Sequence, residues 1–247
     1  MRYSALATDY DGTLAADGKV ASKTIEALDR VRAAGRQTIL VTGRELPDLL
    51  NAFPEIERFD HVVAENGGVL YCPRTKTERL LASAPPAEFI ARLAATGVQP
   101  LSIGRTIVST REAYGQVVGD AVRECGLALH VVLNKGAVMV LQSSVNKATG
   151  LCAALAELEL AAQNVAGIGD AENDHIFLSM CGCAVAVANA LPSLKQRADW
   201  VTDAPQGKGV VQLIDRLIDD DLASLQDRIG LHRVAVGPSE VALEKVP

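Results

Sequence analysis

The sequence lacks long apolar runs, paired cysteine motifs and a surplus of basic residues, and each absence excludes a class of protein. No apolar run approaches the ~20 residues that cross a bilayer, and Asp9 and Asp11 interrupt the first apolar stretch, so no secretion signal is expected. The five cysteines contain no CxxC pair, which favours reduced thiols in a cytoplasmic protein. The formal net charge of −6 disfavours nucleic-acid or membrane binding.

Aromatic residues are also scarce, at 4% of the sequence, whereas hydrophobic residues reach 49%. The core must therefore be built mainly from alanine, leucine, valine and isoleucine. A chain of 247 residues is long enough for one large domain, or for a core domain with a smaller one. The composition as a whole is that of a folded globular protein.

Apolar runs alternate with helical patterns in the first part of the chain. Residues 3–8 are apolar, and the later stretches "QTILVTGR" and "HVVAENGG" also read as strands, with amphipathic helical segments between them. This βαβαβ order predicts a parallel sheet with crossover helices. We therefore expect an α/β fold with a Rossmann-like sheet.

Two adjacent prolines, Pro85 and Pro86, mark a change of pattern. Residues 84–142 have the order αββαββ, which predicts a small α+β domain, and the βα alternation then returns. The prediction is a discontinuous core domain, residues 1–83 and 143–218, into which residues 84–142 are inserted. Residues 219–247 read as a tail that either packs on the core or leads to a partner domain or protein.

Two aspartates, Asp9 and Asp11, end the first strand in the stretch "DYDGT". A buried carboxylate without a partner is costly, so a bound cation is the simplest compensation. Residues two apart on an extended chain face the same side. Asp170 and Asp174, in "GDAENDHIF", flank a later strand-to-helix turn and can reach the same point in space.

An octahedral Mg²⁺ site needs one or two carboxylates, a carbonyl oxygen and waters. Asp9, Asp170 and the backbone carbonyl of Asp11 can supply the direct ligands, with Asp174 and Asn173 acting through hydrogen bonds or water. Two further stretches, "VTGR" and "VNKATG", add phosphate-binding chemistry. Thr42 and Gly43 offer a hydroxyl and unblocked N–H groups, and Lys147 offers a positive charge.

Other readings of these motifs are weaker. An EF-hand requires glycine and glutamate at its sixth and twelfth positions, and neither acidic stretch has them. A dinucleotide fingerprint requires a third glycine, which is missing after Gly167 and Gly169. Arg44 is equally consistent with a contact to substrate and with a structural role in its turn.

Taken in order, the four stretches resemble the four motifs of the haloacid dehalogenase superfamily of phosphotransferases. The resemblance covers roughly residues 3–218, and "DYDGTL" and "GDAENDHIF" are its most specific parts. The position of the insertion, together with "VTGR" and "ENGG", resembles the Cof-type subgroup. The insertion itself is short and similar to the caps of archaeal phosphoglycolate phosphatases.

The resemblance implies a Mg²⁺-dependent phosphatase that acts on small phosphorylated metabolites, sugar phosphates or phospho-acids, through an aspartyl-phosphate. Asp9 is implied as the nucleophile and Asp11 as the acid and base. Thr42 and Lys147 are implied to hold the phosphoryl oxygens. The implied metal residues are Asp9, Asp11, Asp170 and Asp174, and the implied residues around the substrate are Gly12, Gly43, Arg44 and Asn173.

Two alternatives remain open at this point. A phosphomutase of the same superfamily would share the aspartyl-phosphate, and a catalytically idle domain of the same fold would serve as an interaction module. Selectivity is expected to lie in the inserted residues 84–142, with Arg105 and Lys135 as candidates, because the four motifs address only phosphate and metal.

Overall fold

The computed structural model describes residues 1–230, which form two β-sheets with helices. The strands, numbered in chain order, are β1 Ala5–Thr8, β2 Gln37–Val41, β3 His61–Ala64, β4 Val69–Cys72, β5 Thr77–Leu80, β6 Ser102–Ile103, β7 Val108–Arg111, β8 Leu129–Asn134, β9 Ala137–Gln142, β10 Val165–Gly169, β11 Cys183–Ala186 and β12 Trp200–Val201. The helices are α1 Ser22–Ala33, α2 Leu46–Ala52, α3 Ala87–Ala95, α4 Gly115–Cys125, α5 Lys147–Glu157, α6 His175–Leu178, α7 Pro192–Arg197 and α8 Gln206–Asp220.

The larger sheet has eight strands in the order β12-β11-β10-β1-β2-β3-β4-β5. The strands from β12 to β3 pair in parallel, and the β4–β5 hairpin adds two antiparallel strands at one edge. The predicted α/β fold is confirmed. Strand β1 is buried along its whole length, as expected for a strand that helices cover on both faces.

The smaller sheet is formed by the inserted segment, by which we mean residues 84–142. Its strands are antiparallel in the order β6-β7-β9-β8, and α3 and α4 contribute to the same segment. Along β9, Val138 and Val140 pack in a cluster with residues of α3 and α4, whereas Met139 and Leu141 belong to a separate cluster. This alternation gives the sheet two distinct apolar faces, one for its own helices and one for the rest of the molecule.

The structure differs from the predicted element list near the end of the core. Helix α7 and strand β12 were not predicted, because six and two residues are too short to show a reliable period. Helix α8 extends to Asp220, two residues beyond the predicted end of the core at residue 218.

The first residues of the predicted tail pack on the core. Asp221 accepts hydrogen bonds from the backbone N–H groups of Arg2 and Tyr3 and from the Arg36 guanidinium, and Leu222 and Leu225 are buried. The rest of the predicted tail, residues 231–247, lies outside the described residues. None of the helices in residues 1–230 combines the length and the apolar character that crossing a bilayer requires.

Candidate active site

Three neighbouring parallel strands bring the predicted motifs together. Strand β1 lies between β10 and β2, with Thr8 in register with Ile168 on one side and Leu40 on the other. The residues that follow these strands therefore meet at the carboxyl edge of the sheet, where ligands bind in open α/β folds. Asp9, Thr42 and Asp170 each come directly after their strand.

Helix α5 delivers Lys147 to this edge. Asn146 caps the helix by accepting hydrogen bonds from the backbone N–H groups of Ala148 and Thr149, so α5 begins at Lys147. Gly150 allows the first turn to approach Gly67, since a Cβ at position 150 would lie 2.7 Å from the Gly67 Cα. The Lys147 side chain is consequently 1% exposed.

The Lys147 ammonium joins two buried carboxylates. Its Nζ donates to Asp9 Oδ1 and to Asp174 Oδ1, both at 2.6 Å. Burial by itself would lower the pKa of Lys147, but the charges of Asp174 and Asp9 outweigh it and raise the pKa. Burial, and then the charge of Asp174, raises the pKa of Asp9. The site therefore holds more negative charge than one lysine compensates.

Three carboxylates, those of Asp9, Asp170 and Asp174, form a buried cluster whose oxygen atoms lie within 4.8 Å of one another. The second oxygen of Asp174 is fixed by the backbone N–H groups of Asp170 and Ala171, at 2.8 and 2.9 Å. Thr13 Oγ1 donates to Asp170 Oδ1 at 2.9 Å. Buried charges are tolerated only when they are paired or bind metal, so this cluster is suited to a cation.

One contact shows directly that a cation fits at this edge. Lys135 lies in the β8–β9 turn of the inserted segment. Its ammonium group donates hydrogen bonds to Asp170 Oδ2 and to the backbone carbonyl oxygen of Asp11, the latter at 2.9 Å. A carboxylate and a carbonyl oxygen are the hard ligands that Mg²⁺ prefers. The residues present thus fit a divalent cation, to which Asp9, Asp170 and the carbonyl of Asp11 could offer oxygen ligands, with Asp174 beside them.

The carboxylate of Asp11 does not join this cluster. It forms a two-pronged ion pair with Arg44, with Nε–Oδ2 at 2.6 Å and Nη2–Oδ1 at 2.8 Å, and its side chain is 39% exposed. The expectation that both leading aspartates are buried is therefore wrong for Asp11. The chain leaves its extended path after Asp9, and Gly12 adopts a φ of +79°, which glycine accepts most readily.

The other predicted site residues divide into two groups. Thr42 is buried, with its hydroxyl accepting a hydrogen bond from the Arg44 N–H at 3.1 Å, and it lines the cavity together with Gly43. Asn173 instead donates to Asn66 Oδ1 at 3.1 Å and does not line the cavity, although its own Oδ1 is buried without a partner. Gly12 also lies outside the cavity lining.

The inserted segment closes over the carboxyl edge of the sheet and leaves a cavity of ≈430 Å³. The core side is lined by Asp9, Asp11, Thr42, Gly43, Arg44, Glu45 and Asp48, and the opposite side by Ser102, Ile107, Ser109, Asn134, Lys135, Ala137 and Met139. Sequence analysis identified only Lys135 on that second side. The alternation along β7 and β9 could have indicated Ser109 and Met139, which face away from α3 and α4.

Arg105, the other candidate for selectivity, does not line the cavity. Its guanidinium lies 3.3 Å from Glu78 on the β4–β5 hairpin, where it links the inserted segment to the core. Any effect of Arg105 on selectivity would therefore be indirect.

Glu65 is a connection between core and insertion that sequence analysis missed. Its side chain is fully buried, and Oε1 accepts the Arg105 N–H at 3.0 Å while Oε2 accepts from Thr106 N and Oγ1 at 2.7 and 2.9 Å. This glutamate therefore fixes the turn that precedes Ile107, which lines the cavity.

Replacing Glu65 by alanine is expected to destabilise the protein. The substitution would leave the N–H groups of Arg105 and Thr106 and the Thr106 hydroxyl without their acceptor. An unsatisfied buried polar group costs ~1–3 kcal/mol of stability. Urea unfolding should show the loss for Glu65→Ala and little change for Glu26→Ala, an exposed glutamate on α1. Equal unfolding midpoints for the two variants would contradict the role of Glu65 as an anchor.

Replacing Lys147 by methionine is expected to lower the free energy of unfolding more than Glu65→Ala does. The substitution leaves Asp9 and Asp174 buried without the cation that they share. Breaking a buried ion pair from one side typically costs ~3–5 kcal/mol. Thermal unfolding of Lys147→Met should show a large loss that added Mg²⁺ partly restores, since the same carboxylates can bind the ion. The exposed Lys23→Met on α1 is the matched control, and a similar loss there would refute the prediction.

Known proteins match this chain over most of its length. A family model described as haloacid dehalogenase-like hydrolase matches residues 6–114 and 99–214. A phosphoglycolate phosphatase from Methanothermobacter thermautotrophicus is 32% identical over 223 residues, which cover 87% of this chain and 98% of that protein.

Solved structures share the fold. A haloacid dehalogenase-like hydrolase from Bacteroides thetaiotaomicron superposes with a TM-score of 0.75 at 20% identity, covering 87% of this chain and 99% of that one. A HAD subclass IIB sugar phosphatase gives a TM-score of 0.72 at 19% identity, covering 87% and 98%. At these identities the likeness concerns the fold alone.

Proposed function

The chain belongs to the haloacid dehalogenase-like hydrolases, and from this premise we propose that it is a Mg²⁺-dependent phosphatase of small phosphorylated metabolites. The observation that carries the proposal is the buried cluster of Asp9, Asp170 and Asp174, in which Lys147 pairs with Asp9 and Asp174 and Asp9 lines the wall of a cavity. This arrangement concentrates carboxylates and a cation where a phosphate would enter. Residues 1–83 and 143–218 are proposed as the core and residues 84–142 as its cap.

In the first half of the proposed reaction, a carboxylate oxygen of Asp9 attacks the phosphorus atom of the substrate. A bond forms between that oxygen and phosphorus while the bond from phosphorus to the ester oxygen breaks. The departing alkoxide takes its proton from Asp11, whose carboxyl group faces the cavity. The products of this half are an aspartyl-phosphate on Asp9 and the free alcohol.

In the second half, water attacks the phosphorus atom and gives its proton to Asp11. The bond between phosphorus and the Asp9 oxygen breaks, which releases inorganic phosphate and restores both carboxyl groups. To act in either half, Asp11 has to exchange its ion pair with Arg44 for the reacting oxygen. Arg44 keeps a second partner in Asp48, at 2.7 Å, so it stays in place during this exchange.

Thr42 and Lys147 are proposed to hold the non-bridging phosphoryl oxygens, with Gly43 leaving space beside them. Thr42 and Lys147 are both buried, Lys147 against Asp9 and Thr42 in the same cavity wall as Asp9, so they act with little competition from bulk water. When bound, Mg²⁺ supplies positive charge that reduces the repulsion between Asp9 and the phosphate dianion. The ligands proposed for it are Asp9, Asp170 and the Asp11 carbonyl, with Asp174 adjacent.

The substrate class follows from the size of the cavity and from the relatives. A volume of ≈430 Å³ suits a small molecule, and the 32%-identical relative is named for phosphoglycolate, a phospho-acid. We do not propose a nucleic-acid or membrane partner, and a partner at residues 231–247 stays a hypothesis. A cytoplasmic location is supported by the five cysteines, which form no disulfide within the described residues.

Phosphate release tests the proposal. The protein with Mg²⁺ should hydrolyse an aryl phosphate and at least one member of a panel that includes phosphoglycolate and small sugar phosphates, and EDTA should abolish the activity. Product analysis for isomerised phosphates in the same reactions separates a phosphatase from a mutase. Turnover that persists unchanged in EDTA, or no turnover of any phosphomonoester, would reject the function.

A further inference from the structure

Lys135 occupies an unusual position for a surface lysine of the inserted segment. It lies in the tight turn between β8 and β9, where Lys135 and Gly136 have φ values of +45° and +84°. The turn projects toward the core, and the Lys135 side chain, 38% exposed, reaches the carboxyl edge of the large sheet. Positive φ at both central residues is typical of a two-residue hairpin turn, so the β8–β9 hairpin itself fixes the place of Lys135.

The ammonium of Lys135 contacts two of the oxygen atoms proposed to bind the metal. These are Asp170 Oδ2 and the carbonyl oxygen of Asp11, the latter at 2.9 Å. A lysine ammonium and a divalent cation cannot share these oxygens, because like charges a few ångströms apart repel strongly in a partly buried site. Binding of the metal therefore requires the Lys135 ammonium to move.

A displaced Lys135 would become the free cation of the cavity. Among the described residues that line it, the cations are Arg44 and Lys135. Arg44 is already held by Asp11 and Asp48, whereas Lys135 would lose its carboxylate partner to the metal. Its flexible stem allows the ammonium to reach a new anion without movement of the turn.

The wall around Lys135 is polar and incompletely paired. Asn134, the preceding residue, lines the cavity, and its Oδ1 is buried without a hydrogen-bond partner. Ser102 and Ser109 lie on the same side. A buried amide oxygen without a partner calls for a donor such as a water molecule or a hydroxyl group, so it marks this wall as polar, and the charge of Lys135 is what favours an anion there.

We propose that Lys135 binds two anionic groups in turn: Asp170 in the metal-free protein, and a carboxylate of the substrate once the metal has taken its place. The inference rests on the proposed function and narrows its substrate class to phosphomonoesters that also carry a carboxylate. Metal binding and substrate selection are thereby coupled through one side chain.

Calorimetric titration with Mg²⁺ alone tests whether Lys135 competes with the metal, and it requires no turnover. Lys135→Met removes the competing charge and should bind Mg²⁺ more tightly than the unmodified protein, by roughly tenfold. Arg123→Met is the matched control, since it removes a cap charge that pairs with Asp120 on the surface of α4. Unchanged or weaker Mg²⁺ binding by Lys135→Met, and by Lys135→Gln as a second variant, would overturn the competition.

Binding of the substrate carboxylate by Lys135 is tested by the ratio of kcat/KM for phosphoglycolate to kcat/KM for ethyl phosphate. Ethyl phosphate has the same two-carbon skeleton and no carboxylate. At saturating Mg²⁺ this ratio should fall at least roughly tenfold in Lys135→Met and stay constant in Arg123→Met. A constant ratio in Lys135→Met would overturn the role in substrate selection. Failure of the proposed function would look different, because the unmodified protein would then hydrolyse neither ester while the difference in Mg²⁺ affinity persisted.

Discussion

Asp9→Asn is expected to reduce phosphate release to background and to leave no phosphorylated protein. The substitution replaces the attacking oxygen with an amide and removes a proposed metal ligand, while the size of the side chain is preserved. Asp9 is 5% exposed, so solvent cannot supply a substitute nucleophile from the same position. Rates with an aryl phosphate, together with intact-mass spectra of acid-quenched protein, would measure both effects.

Asp17→Asn provides the control for this experiment. Asp17 is an exposed aspartate of the same N-terminal loop and has a φ of +49°, a conformation that asparagine adopts readily. It should retain full activity. A phosphate adduct on Asp9→Asn, or activity close to that of Asp17→Asn, would show that another residue is the nucleophile.

The fold was predictable from the sequence because its signals are local. The apolar runs that became β1, β2 and β10 stand between amphipathic helical segments, and their parallel order follows from that alternation. The same order places Asp9, Thr42 and Asp170 at one edge of the sheet, so the meeting of these three residues could be predicted too. The short elements α7 and β12 had no comparable signal.

The contacts between distant parts of the chain were not predictable in the same way. The Asp11–Arg44 pair, the Glu65 anchor and the Lys135 contact with Asp170 join residues that are 33 to 41 positions apart in the chain. The last two depend on how the inserted sheet docks on the core, and spacing carries no information about docking. Lys147 was predicted to neutralise phosphate, but the sequence contains no sign that it also joins Asp9 to Asp174.

Asp11→Asn is expected to slow turnover without preventing attack by Asp9. The variant keeps the backbone carbonyl that is proposed to bind the metal, but its amide can neither donate a proton to the leaving group nor accept one from water. General acid–base catalysis typically contributes ~10²–10⁴-fold, which sets the expected loss with an alkyl phosphate. Loss of the exposed ion pair with Arg44 should cost only ~0–1 kcal/mol of stability.

The leaving group separates the two duties of Asp11. The leaving group of an aryl phosphate is a stable phenolate, which barely needs protonation by an acid. Formation of the aspartyl-phosphate should therefore remain fast in Asp11→Asn. Its hydrolysis still needs the base, and this second half should become rate-limiting. Acid-quenched Asp11→Asn should therefore carry a phosphate adduct during steady-state turnover of the aryl ester, whereas Asp9→Asn should carry none. If the adduct appears on neither variant, or if aryl and alkyl esters slow equally, Asp11 does not serve as both acid and base.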